Sequence, residues 1–428
     1  MSTATITPSH VHIIGAGLGG LTLARVLQLS KVPVTVYERE PNATSRAQGG
    51  TLDLHTETGQ KALQMAHLHD EFEAHCNRLA NTMIICGKNG EVVWQDEPRE
   101  PKPKEKMHPE EDRPEIDRGM LRRILLDSLE PQTVQWGHTL RSITPTTTGV
   151  HQLVFETANT STPKTVLAEF VVGADGAWSR TRTLLTDAMP IYQGVSFVET
   201  EVLDVDSRSP TVAKLVGEGT MFAIEEQKGI IAQRNSGGRL NVYLGLRVEQ
   251  SWVVDSHIPF DSDPEETRKQ LLALLDVWDE RLLEVIKVAE PKFIPRPIMA
   301  LDPKTKWESK EGVTLLGDAA HVMSPFAGEG ANLAMIDAAE LGYALVGKDG
   351  NGKVVYRTLQ DAIKAYEGRM FKRSKPAAEE SRSNMDMFIS NQAPYAVANL
   401  MQFRGRPVAY IAHLAMTPVW KLLGRKGY

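Results

Sequence analysis

With 428 residues, of which 41% are hydrophobic and 24% charged, the chain has the balance of a globular protein and room for roughly two or three domains. A net charge of −6 argues against a general nucleic-acid binder. The two cysteines, Cys76 and Cys86, form no Cys-x-x-Cys or Cys/His cluster. Neither a disulfide framework nor a structural metal site is expected, and a reducing, cytoplasmic compartment suits the pair. No basic-then-apolar leader and no apolar run of about 18 residues is present, so neither a secretory signal nor a membrane span is expected.

The first element is a short apolar strand over residues 11–14. It runs into Gly15-Ala16-Gly17-Leu18-Gly19-Gly20, a G-x-G-x-x-G turn, and then into Leu21, Ala24 and Leu27 at helical spacing. A second strand over 34–37 ends on Glu38. Gly15 permits the tight turn, Gly17 removes a Cβ so that a pyrophosphate can approach, and Gly20 lets the helix lie close on the sheet. The helix N-terminus offers free N–H groups and partial positive charge to phosphates. Glu38 is placed to accept both hydroxyls of an adenosine ribose. This stretch predicts a bound dinucleotide and leaves NAD, NADP and FAD open.

Residues 41–55 read as a loop holding Arg46, Gly49-Gly50 and Asp53, suited either to close approach of a flat ligand or to an ordinary surface loop. A helix is predicted over 58–76, with its histidines in packing roles, and a hairpin over 83–94 turning at Asn89-Gly90. Residues 97–114 read as an exposed polar loop. Asp117 is a candidate cap for a helix over 118–129, which sets Arg118 and Arg122 one turn apart. They form either a solvated basic face or a pair reaching toward a phosphate or flavin edge.

Strands are predicted over 134–136, 153–157 and 166–172, the last running into Asp175-Gly176. Residues 195–248 alternate strands with glycine turns, the pattern of a separate antiparallel sheet covering a site. Ser262-Asp263-Pro264-Glu265 opens a helix expected to continue past Leu283, and 294–303 is a proline-marked edge strand. A strand over 313–316 leads into Gly317-Asp318 and a second glycine turn, Gly328-x-Gly330, that opens a long helix. An NAD site needs one strand–glycine–helix cradle; two suit FAD, with its polar chain and three-ring system. Residues 358–389 form a charged helix with a kink expected at Pro376. Residues 391–428 hold no acid but carry Arg404, Arg406, Lys421, Arg425 and Lys426. The reading favours packing as a gate over lying on an anionic membrane.

GAGLGG with Glu38-Arg39, GADGAWSRTR and GDAAHVMSPFAGEGANLAMIDA occur in this order. They resemble the three signatures of the FAD-dependent aromatic-hydroxylase class of monooxygenases, over the chain up to about residue 390. Within that class GGTLDLHTETGQ, PEIDRGMLRRILLDSLE and AYEGRMF with AEESRSNMDMF are similar to the TetX-type tetracycline destructases. The resemblance implies an α/β fold: a Rossmann-like FAD-binding domain (1–81, 115–187, 295–355) with an inserted antiparallel β-sheet substrate domain (82–114, 188–294) and C-terminal helices, a bridging helix (356–390) and an extension (391–428).

It further implies that Gly15, Gly17, Gly20, Glu38, Arg39, Gly50, Asp53, Arg118 and Asp318 contact FAD, and that Gly328 and Gly330 face its ribityl and ring region. Arg46 would lie where NADPH or the flavin is approached. Pro325, Phe326 and Gly328 would sit beside the ring, with Phe222, Tyr243 and Asn384 on a substrate wall. Where the family carries glutamine, arginine and histidine, this chain has Glu199, Thr220 and Tyr243, so a substrate other than tetracycline stays open.

The implied activity is hydroxylation of a polycyclic, tetracycline-like aromatic through a flavin C4a-hydroperoxide, with O2 and NADPH as co-substrates. The alternatives are another phenolic or polyketide-like aromatic, or a flavin-binding protein without turnover. The flavin carries the chemistry, so no catalytic side chain is assigned, and His321 is read as a structural histidine. A monomer with a small-molecule partner, no nucleic acid and no membrane is expected.

Overall fold

The computed structural model describes residues 7–45, 49–78, 82–96, 112–146, 150–157, 160–349 and 351–403. Two compact units are formed, one from Met1–Asn81, Glu100–Gln193 and Pro297–Asn384, the other from Thr82–Arg99, Gly194–Arg296 and Met385–Tyr428. No described helix is long and apolar enough to cross a membrane.

The first unit is built on a five-stranded sheet of β1 (Val11–Ile14), β2 (Val34–Tyr37), β7 (Val134–Gln135), β11 (Val171–Gly173) and β17 (Val313–Leu315), in the order β17-β11-β1-β2-β7. Every pairing is parallel. A parallel sheet is covered on both faces, so its strands are apolar throughout, as in β11 and β17, where every residue is buried. Helices α1 (Leu18–Leu29), α4 (Arg118–Asp127) and α11 (Gly330–Ala344) supply Leu21, Leu23, Leu27, Leu121, Met335 and Leu341 to its core. Beside this sheet β3 (Thr51–Asp53) and β6 (Glu115–Asp117) make an antiparallel ribbon.

Three sequence expectations change here. The apolar run 166–172 is not one strand. Its first part closes β10 (Thr160–Ala168), which pairs with β9 (His151–Thr157) and β8 (His138–Pro145) in a separate three-stranded sheet, and β11 begins three residues later. Apolarity continues across the change of sheet, so composition cannot mark it. The helix over 58–76 is a π-turn at Thr56–Gln60, then α2 (Lys61–Met65) and α3 (His69–Glu73), interrupted at His67 with φ 56°. Asp117 does stand at the N-cap of α4, but its side chain makes no capping bond.

The second unit holds a seven-stranded sheet of β4 (Met83–Cys86), β5 (Val92–Gln95), β12 (Ile191–Val202), β13 (Thr220–Glu225), β14 (Lys228–Asn235), β15 (Arg239–Arg247) and β16 (Ile294–Ala300), ordered β16-β12-β15-β14-β13-β4-β5. The sheet is not wholly antiparallel as expected. β13 and β4 pair in parallel, because β4 arrives from a distant part of the chain rather than by a hairpin. Short helices α5 (Val205–Arg208) and α7 (Trp252–Asp255) lie among the strand connections. Val212 and Val216 of α6 (Pro210–Val216), Leu271 of α8 (Pro264–Ala273) and Leu282, Val285 and Ile286 of α9 (Glu280–Lys287) share one core with Val198, Ala223, Ile230 and Leu244.

The single helix expected past Leu283 is two. Asp263 caps α8 through the Glu266 amide and Asp279 starts α9 through the Arg281 amide, so the second cap restarts the chain in a new direction. After α10 (Asp318–His321), the helix α12 (Leu359–Phe388) continues through Pro376 without the expected break. The last helix, α13 (Tyr395–Phe403), buries Val397, Ala398, Leu400 and Met401, so this part of the extension packs. Its basic residues, Arg404 onward, lie outside the described residues.

Candidate cofactor-binding site

Strands β1, β2, β11 and β17 are parallel, so Gly15, Glu38, Asp175 and Gly317-Asp318 all follow their C-terminal ends, the edge at which doubly wound sheets bind ligands. The Gly15 amide donates to the Tyr37 carbonyl at 2.8 Å. Gly15 has φ 108°, and a Cβ there would overlap the Ala174 carbonyl; a Cβ on Gly20 would overlap the Gly15 carbonyl. Those two glycines are required by the protein's own backbone.

Gly17 is different. Its φ is −76°, it is exposed, and no atom lies within 4 Å of where its Cβ would be. Gly330, the first residue of α11, likewise has nothing within 4 Å. Neither α1 nor α11 has a side-chain N-cap bond. Two helices of 12 and 15 residues therefore begin with an unfilled position and first-turn amides not capped by a side chain. The helices lie together, with a Cβ on Gly19 meeting the Ala334 backbone and one on Gly342 meeting Val26. This arrangement fits a ligand with a pyrophosphate and a second long segment.

Glu38 is buried. Its Oε2 accepts from the Ala16 amide at 2.7 Å and its Oε1 from the Glu40 amide at 2.9 Å, which sets the carboxylate against the glycine turn. Each oxygen retains a second lone pair for a hydroxyl. Arg39 beside it is exposed, and Arg46 lies outside the described residues. Arg122 does not reach toward a ligand. Its guanidinium is buried over Trp136 and donates to the carbonyls of Ala16 and Ala43 and to the Glu40 carboxylate. Arg118 keeps company with the glycine pair: its amide donates to the Gly50 carbonyl at 3.2 Å, and its Cδ is 3.8 Å from a Cβ built on Gly49.

The second cradle closes on the first through Asn332, which is fully buried. Its Oδ1 accepts from the amides of His55 and Gly59, and its Nδ2 donates to the carbonyls of Asp53 and Gly328. Gly328 has φ 69°, and a Cβ there would stand 3.2 Å from the Asp53 carboxylate. Thus Gly50, Asp53, Arg118 and Gly328 come together around the β3–β6 ribbon. Asn332→Ala strands four backbone groups, and we expect a loss on the order of 3 kcal/mol in urea unfolding followed by circular dichroism. The Pro325–Ala327 turn is held by Asn384, whose Nδ2 donates to the Phe326 carbonyl at 3.0 Å, and by Ser381 at Ser324. Asp318 and Pro325 are exposed.

His321 is buried with its Nε2 2.6 Å from Asp337, and Asp337 also meets Arg373 at 2.8 Å. Burial would pull the imidazole pKa down, but Asp337 holds it above its ordinary value. It is a structural histidine.

In the second unit, Glu199, Tyr243, Ile231, Phe222 and Ile85 stand directly opposite one another across five strands. They share one face, opposite to the face carrying Val198, Leu244, Ile230, Ala223 and Cys86. Thr220, two residues before Phe222, lies on the same face as that row. Its members already have neighbours: Glu199 accepts from Arg296 at 3.0 Å, Phe222 meets Phe388 edge-on at 5.2 Å, and Tyr243 lies 5.7 Å from Phe197.

Sequence reasoning missed Asn332, His55, Glu329 and Glu115. The signal for Asn332 was faint, a buried amide two residues into an apolar helix. The other three needed the ribbon pairing that sets Asp53 opposite Glu115.

Comparison with known proteins agrees with this geometry. Monooxygenase penA of Penicillium thymicola is 28% identical over 442 residues, covering 92% of this chain and 98% of the relative. Monooxygenase asqM of Emericella nidulans is 30% identical over 445 residues, covering 91% and 98%. Among solved structures, Klebsiella pneumoniae HpxO complexed with FAD and uric acid has a TM-score of 0.71 at 19% identity over 92% of each chain. Tetracycline destructase Tet(55) has a TM-score of 0.68 at 19% identity over 97% of each. Residues 8–348 match the family model described as FAD binding domain; the chain belongs to that family and is an FAD-dependent monooxygenase.

Proposed function

We propose that the chain hydroxylates an aromatic small molecule, taking one oxygen from O2 and its electrons from NADPH. The observation that carries this reading is the pair Gly17 and Gly330, which head two adjoining helices and whose missing side chains no protein atom explains. When bound, FAD supplies hydride acceptance and oxygen activation. Gly15, Gly17, Gly20 and the first turn of α1 would hold the pyrophosphate, with Glu38 and Arg39 at the adenosine end. Gly50, Asp53, Arg118, Asp318, Gly328 and Gly330 would hold the remainder, and Arg46 the approach of NADPH. Pro325 and Phe326 would flank the ring.

Glu199, Thr220, Phe222, Tyr243 and Asn384 would orient the substrate and exclude water. A tetracycline-like polycycle is the first reading, supported by the motif resemblance. A different phenolic or polyketide-like aromatic is the second. It is favoured by the higher identity to penA and asqM, and by the Glu199–Arg296 pair, which already neutralises one wall residue.

NADPH oxidation by the FAD-loaded chain is expected to rise several-fold with the correct aromatic, with a product heavier by one oxygen. Stimulation by tetracycline supports the first reading and stimulation only by another phenol the second. Oxidation that no aromatic stimulates would leave a flavin-binding protein without turnover.

A further inference from the structure

One group of ionisable residues has no part in the reading above, though the deepening offered here rests on that reading of Gly328. The His55 ring lies between two carboxylates, with Nε2 3.0 Å from Asp53 and Nδ1 3.1 Å from Glu329. Arg113 approaches Asp53 at 3.7 Å. Glu115, buried, stands directly opposite Asp53 across the β3–β6 ribbon. The cluster adjoins Gly328 through both Asp53 and Asn332.

A structural latch between the ribbon and α11 does not require these charges. Asn332 already joins the same segments with four neutral hydrogen bonds. Three carboxylates face one guanidinium and one imidazole, and two of the carboxylates are cross-strand partners, which repel when both are ionised. The cluster is in balance only if it holds protons. It is not a metal site: no group of three or more His, Cys, Asp or Glu that could hold a metal ion occurs among the described residues.

We propose that His55, held between Asp53 and Glu329 with Glu115 behind Asp53, is a proton reservoir for hydroxylation. The reaction consumes one proton per turnover: R–H + O2 + NADPH + H+ gives R–OH + H2O + NADP+. The C–H and O–O bonds break, the C–O bond forms, and the second oxygen leaves as water with the proton supplied. His55 acts as a positioning residue, passing charge through Asp53 and Glu329 rather than touching substrate.

The electrostatics agree. Burial would pull the His55 imidazole down, but hydrogen bonds from Asp53 and Glu329 lift it to about 9. Burial, then the Asp53 charge, pushes Glu115 up to about 8. Asp53 stays below its ordinary value, because His55 and Arg113 outweigh its burial. At neutral pH His55 and Glu115 each hold a proton, and the His55 proton is lost as pH rises through about 9.

The test is histidine NMR titration of the full chain with and without FAD, together with the pH profile of hydroxylation. His55 is expected to titrate near 9 and to shift when FAD is removed. Wild-type kcat should fall as pH rises through that value. His55→Gln should lose this alkaline limb with kcat at least about tenfold lower and KM for NADPH unchanged. Glu329→Gln, which keeps a hydrogen-bonding side chain but not its charge, should move the limb to lower pH. The inference is overturned if His55 titrates at an ordinary histidine value, ignores FAD, or if His55→Gln keeps the alkaline limb and the wild-type rate. Failure of the wild-type chain to take up FAD, seen as absent flavin absorbance, would instead overturn the cofactor reading and this inference with it.

Discussion

Gly17→Ala is expected to leave the apo-protein folded while weakening FAD binding by about 10- to 100-fold, the loss of one or two charge-assisted amide–phosphate bonds. The new methyl meets no protein atom within 4 Å, and the backbone at φ −76° accepts alanine. Its only intrinsic cost is that of alanine at an N-cap, under about 1 kcal/mol. Gly20→Ala should behave in the opposite way. Its methyl overlaps the Gly15 carbonyl, so strand and helix must separate, at a cost on the order of 3 kcal/mol to the apo-protein. Thermal melts of both variants without FAD, set beside flavin fluorescence titrations, separate the two effects. A Gly17→Ala chain that binds FAD like wild type would remove the argument that the missing side chain serves the ligand.

Arg373→Met is expected to destabilise the first unit by about 3–5 kcal/mol, the cost of stripping a buried ion pair of its cation. Asp337 and Glu340 are both nearly inaccessible, and Arg373 meets them at 2.8 and 3.1 Å. Burial would raise the Asp337 pKa, but His321 and Arg373 hold it below its ordinary 3.8. That contribution is present above 3.8 and is lost as pH falls through the lower folded value. His321 has the reverse sign: its contribution is complete below 6.5 and declines as pH rises through the raised folded value. Wild-type stability from this pair should therefore be flat between 3.8 and 6.5 and fall on either side. Denaturant titrations across pH should show His321→Gln losing the alkaline decline while Arg373→Met lies below wild type throughout.

The two cradles could be read because each is local. A strand, a glycine turn and a helix lie within thirty residues, and the roles of Gly15 and Gly20 follow from the steric demands of that turn alone. Arg122 shows the limit. Its spacing from Arg118 suggested a shared ligand-facing role, yet folding brings Glu40, Ala16 and Ala43 around it and commits its guanidinium to the loop. Similarly, an unbroken apolar run over 166–172 concealed a change from one sheet to another, since both environments select the same side chains.

From the sequence alone came the cofactor class, the order of its motifs and the composition of the sheet carrying Glu199, Phe222 and Tyr243, because each depends on periodicity or short-range geometry. Tertiary structure alone decided that Asp53 faces Glu115, that His55 lies between two carboxylates, and that Asn332 joins both cradles. These are contacts between segments 60 to 280 residues apart. Their partners are selected by strand register and helix packing, which no local pattern encodes.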